Sequence, residues 1–97
     1  MRRSGVMSWT RSPQVVYEVV DGQAVLVDPA GRELLTLNGV GTVVWEALDG
    51  SDAATLAAAL IDRFDGVTVE ELTVDIAAFL DEIAGAGLVE PVAGSAT

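Results

Sequence analysis

The chain has 97 residues, about half of them apolar, and a formal net charge of −10. That length makes one domain with a modest core, and no apolar run approaches the ~20 residues of a membrane span. The acidity opposes phosphate contacts with DNA or RNA and favours basic partners, while the lack of cysteine and histidine excludes disulfides, thiolate metal sites and the commonest general base.

The charge is uneven. Arg2, Arg3, Arg11 and Arg32 lie in the first third, only Arg63 lies beyond, and there is no lysine. Met1-Arg2-Arg3 is a basic start with no apolar stretch after it, so no secretory signal is read and a cytoplasmic protein is expected. Residues 1–13 carry Ser, Gly, Arg and Pro around Val6, Met7 and Trp9 and read as a flexible N-terminal arm, with Trp9 covering the core edge. Residues 14–92 read as the folded domain and 93–97 as a C-terminal tail.

Val15 to Val20 predicts a strand, Asp21-Gly22 a hairpin turn whose residues tolerate positive φ, and Ala24 to Asp28 the return strand. Pro29-Ala30-Gly31-Arg32 makes a second turn before a third strand, Glu33 to Leu37. Short connections imply an antiparallel meander whose third strand has one partner and one free edge. At Asn38 the pattern changes. Val40, Val43, Val44 and Leu48 recur at helical spacing, and Asn38 suits a helix N-cap. The first helix spans about 39–48, with Val40, Val44 and Leu48 packing to offset Gly39 and Gly41, and Trp45 as a core anchor.

Ser51 or Asp52 caps a second helix over 53–64, in which Leu56, Leu60 and Phe64 share a face. Thr68 and Glu71 form a capping-box pattern. The third helix, about 69–84, buries Leu72, Ile76, Phe79, Leu80 and Ile83, and Leu88-Val89 adds apolar cover, a short strand being one form it can take. The fold class is α+β: a three-stranded antiparallel sheet followed by three helices.

The order of a turn at Gly31, a strand ending Leu37-Asn38, a helix bearing Trp45-Glu46, then Asp49-Gly50 and Gly87-Leu88, resembles the PqqD family over about residues 14–90. The resemblance implies a winged helix-turn-helix-like peptide-recognition element that is not an enzyme. Such elements bind the leader of a ribosomally made precursor peptide, which adds a strand to the third strand and lies against the third helix. They then deliver that precursor to a modifying enzyme or a leader peptidase. The implied setting is a lasso-peptide pathway or a similar one, with a pyrroloquinoline quinone accessory chaperone as the alternative. Relatives often carry aromatic residues in the third strand; Leu34-Leu35 here implies an aliphatic pocket for a Tyr or Leu anchor.

Edge physics points the same way. An open strand edge is a liability unless used, and strand addition takes affinity from main-chain hydrogen bonds and specificity from alternate side chains. The expected binding residues are Glu33, Leu34, Leu35, Thr36, Leu37, Glu71, Asp75, Ala78, Phe79 and Glu82. Glu71, Asp75, Ala78 and Glu82 fall within roughly 60° of helical arc, either a solvated face or an acidic shelf along the groove. No catalytic residue, metal or cofactor is expected, and the partners are a leader peptide and its processing enzyme. A winged-helix DNA-binding domain is opposed by the acids of the third helix, an enzyme by the missing His, Cys and Lys. A protein-interaction or edge-strand dimer module is the remaining rival.

Overall fold

The structure, a computed structural model, describes residues 8–92. In chain order the strands and helices are β1 (Trp9–Arg11), β2 (Val16–Val20), β3 (Gln23–Val27), β4 (Leu34–Thr36), α1 (Gly39–Ala47), α2 (Ala53–Leu60), α3 (Val69–Gly85) and β5 (Val89–Pro91). The three predicted strands are β2, β3 and β4, in an antiparallel sheet of that order. Asp21 and Gly22 have φ of 53° and 79°, the left-handed pair that a tight hairpin turn requires. At the second turn Asp28 holds the chain: its carbonyl accepts from Gly31 N–H and its Oδ1 from Arg32 N–H, both at 2.8 Å.

The caps match the sequence signals. Asn38 Oδ1 accepts from Gly41 N–H at 2.8 Å, Asp52 Oδ1 from Thr55 N–H at 2.8 Å, and Thr68 with Glu71 closes the capping box. Helix α2 is shorter than expected: it stops at Leu60, and Ile61–Arg63 tightens into a 3₁₀ turn. Of the apolar residues expected inside, Leu72, Ile76, Leu80 and Ile83 are buried under the sheet with Trp45, Leu26 and Leu88.

Two expectations are corrected. Val40 is 45% exposed instead of packed. Helix α1 turns Gly41, Thr42, Val44 and Trp45 inward, one step round from the stripe that Val40 would start. The other concerns the arm, of which residues 1–7 lie outside the described residues, as does the 93–97 tail. Residues 9–11 are no loose arm: they form β1 and pair with β5, with Thr10 opposite Glu90. Main-chain bonds fasten this segment further: Trp9 N–H donates to the Ser51 carbonyl, Gly50 N–H to the Trp9 carbonyl, and Ser12 N–H to the Leu88 carbonyl. Arg11 adds a donor bond to the Tyr17 hydroxyl at 3.0 Å, its guanidinium standing 5.6 Å from that ring's centroid. Trp9 packs against the core, as expected.

Candidate functional site

Strand β4 has β3 on one side and, among the described residues, no strand on the other. The direction of its main-chain groups follows from register. Leu37 N–H donates to the Ala24 carbonyl and Asp28 N–H to the Glu33 carbonyl, so Glu33, Leu35 and Leu37 face β3. In an antiparallel ladder the alternate residues face away. The N–H and C=O of Leu34 and Thr36 therefore point out of the sheet along the open edge. Side chains alternate in the other sense: Leu35, opposite Leu26, faces the core layer, while Leu34 and Thr36, opposite Val27 and Val25, face the outer surface of the sheet.

Beside this edge runs a groove of three hollows that share walls. The largest, about 370 Å³, is lined by Leu35, Thr36, Leu37 and Asn38 on one side and by Phe79, Glu82, Ile83 and Ala86 on the other. Leu35 and Ala86 also line a second hollow of about 190 Å³, with Asp28, Glu33, Leu34 and Leu88. At the opposite end Asn38 and Phe79 also line a third of about 150 Å³, completed by Val40, Gly41, Val44, Asp75 and Ile76. No basic side chain lines any of the three, whereas carboxylates stand at both ends and in the middle.

Local structure explains these walls. The hydroxyl of buried Thr42 accepts from Ala24 N–H at 2.8 Å and lies 3.4 Å from the Leu37 carbonyl, locking α1 against the end of β4. Gly41 lets α3 come close. A Cβ there would lie 3.3 Å from the Phe79 ring and 3.3 Å from Asn38 Oδ1. Phe79 is half-buried in consequence, a ridge between the large and the small hollow rather than a core residue.

The expected binding residues are thus not all together. Glu33, Leu34, Leu35, Thr36, Leu37, Phe79, Glu82 and Asp75 border the groove, distributed over its three parts. Glu71 and Ala78 line none of these hollows, and Glu71 turns its Oε1 to Thr68 N–H at 3.0 Å as a cap. Sequence reasoning missed Asn38, Ile83 and Ala86 as wall residues, and Val40, Gly41 and Val44 at the small end. A glycine early in a predicted helix was a usable signal, since it marks either weakness or close approach. Here it is close approach.

An open-edged three-stranded sheet beside a helix-walled groove is the architecture of a peptide-recognition domain. A family profile described as "Coenzyme PQQ synthesis protein D (PqqD)" matches residues 23–89, and the chain belongs to the PqqD family. The fold is similar to that of TbiB1 in complex with the TbiA(beta) leader peptide, with a TM-score of 0.75 and 25% identity over 91% of this chain and 99% of that one. It is also similar to a lasso peptide synthetase B1 complexed with the leader peptide, with a TM-score of 0.73 and 25% identity over 86% and 98% of the two chains. No curated protein sequence matches. No helix among the described residues is long and apolar enough to cross a membrane.

Proposed function

We propose that this protein binds the leader segment of a ribosomally made precursor peptide by strand addition at β4 and delivers it to a leader peptidase or another modifying enzyme. The observation that carries this reading is the outward pair of main-chain groups on Leu34 and Thr36, set beside a groove walled by α3. An added strand satisfies these donors and acceptors, and its alternate residues enter the groove. The likeness to two leader-peptide complexes favours a lasso-peptide pathway. The family description favours a second reading, an accessory protein of pyrroloquinoline quinone synthesis, which differs in the precursor and in the enzyme served. In both readings the chain supplies binding: the groove presents carboxylates and an amide, with no base–nucleophile pair among the described residues.

A synthetic leader from the precursor of the same pathway tests this. One-to-one binding at about micromolar or tighter, near −8 kcal/mol, is the expected result. Amide exchange of Leu34 and Thr36 then slows in the complex. Protection along β2 instead would place the peptide on the other edge of the sheet and sink the assignment.

A further inference from the structure

The small hollow at the Asn38 end differs in chemistry from the large one. Val40, Val44, Ile76 and Phe79 make its walls, and a single carboxylate, Asp75, stands with them. An apolar sleeve with one acid suits a long side chain with an aliphatic stem and a cationic head. We infer that the bound peptide is read as two apolar side chains in the large hollow followed, at the Asn38 end, by a lysine or arginine whose stem fills the small hollow and whose head meets Asp75.

This inference rests on the strand-addition reading, and the register sets the spacing. A strand added at β4 points the residues opposite Leu35 and Leu37 to the α3 side, about 6.8 Å apart at two residues' rise. Both fall in the large hollow, where Leu35 and Leu37 form one wall and Phe79, Ile83 and Ala86 the other. One further inward step passes Asn38 and Phe79, the residues that the two hollows share, and reaches the small one. The pattern is therefore apolar, any, apolar, with the basic residue about two positions beyond. In an antiparallel complex it precedes the apolar pair in sequence, and in a parallel one it follows. Its position in bound peptides consequently reports strand direction.

Panning a displayed library of random twelve-residue peptides on the whole chain tests both layers, with selected peptides titrated by fluorescence anisotropy at low and high salt. The expected winners carry the apolar pair and the spaced Lys or Arg, and Thr36→Pro abolishes their binding. Asp75→Asn weakens them about three- to fivefold, the upper range for an exposed pair, and flattens the salt dependence. Asp62→Asn removes an equal charge from the exposed 3₁₀ turn and changes affinity less than twofold. Winners blocked by Thr36→Pro but lacking the basic residue, or indifferent to Asp75→Asn, overturn this inference and leave strand addition standing. Equal losses from Asp75→Asn and Asp62→Asn overturn it too, since the net field would then be the cause. An absence of binders, or binders indifferent to Thr36→Pro, overturns the strand-addition reading and this inference with it.

Discussion

Trp45 shows how much one side chain carries. It is fully buried, and the Tyr17 ring meets it edge-on with centroids 5.5 Å apart. Trp45→Ala leaves a large void between sheet and helices and is expected to cost about 3–5 kcal/mol in denaturant unfolding. Its Nε1 has no acceptor among the described residues, so Trp45→Phe loses volume but no hydrogen bond seen there and is expected to cost far less than the alanine change. Asp52 carries a smaller and pH-dependent share. The Thr55 N–H that it accepts holds its carboxyl below the usual carboxylate range. A carboxyl lowered on folding stabilises above its unfolded pKa, and that stability is lost as pH falls through the lowered value. Asp52→Ala is therefore expected to cost about 1 kcal/mol at neutral pH. The gap between variant and parent closes in acid, below the carboxylate range, which thermal melts across pH will show.

At the scale of elements, β4 is short and its three residues are all exposed, yet it holds its register at both ends. The outward N–H of Thr36 makes a sharp test. Thr36→Pro removes a donor that the sheet does not use, so the fold survives while peptide affinity falls at least about tenfold. Leu35→Pro removes a donor that faces β3, so the hairpin itself weakens and melting temperature drops. Equal folding damage from both would show that the register is wrong. The Gly41 contact is a second element-scale device. Gly41→Ala gains about 1 kcal/mol of helix propensity but presses on Phe79 and Asn38. Stability should change by less than about 1 kcal/mol, while displacement of the Phe79 ridge weakens peptide binding, a separation that calorimetry and titration resolve together.

For the whole molecule, charge decides the company it keeps. With 15 acids against 5 bases, two copies repel, and a random DNA duplex finds no cationic face on α3. Sedimentation at rising concentration should give one species, and a gel shift on duplex DNA no retarded band. β1 belongs at this scale as well. Because residues 9–11 close against β5, this segment is spent at the far end of the chain and is not laid along β4. Among the described residues, no other strand pairs with the outer edge of β4.

Much of this was legible in the residues alone. Asp21-Gly22, Asn38, Thr68 with Glu71, and the Leu72-Ile76-Leu80-Ile83 stripe each act within a few positions, so hairpin, caps and buried helix face could be read before any packing was known. The meander, and the free edge of its third strand, followed from short connections. What pairs across the whole length of the chain could not be read that way: β1 with β5, the turn of α1 that exposes Val40, and the close approach of Phe79 to Gly41. Nor could helical arc tell Asp75, which lines a hollow, from Glu71, which caps its own helix. Local conformation is set by neighbours in sequence, whereas a groove is a relation between surfaces that only the packed sheet and helices bring face to face.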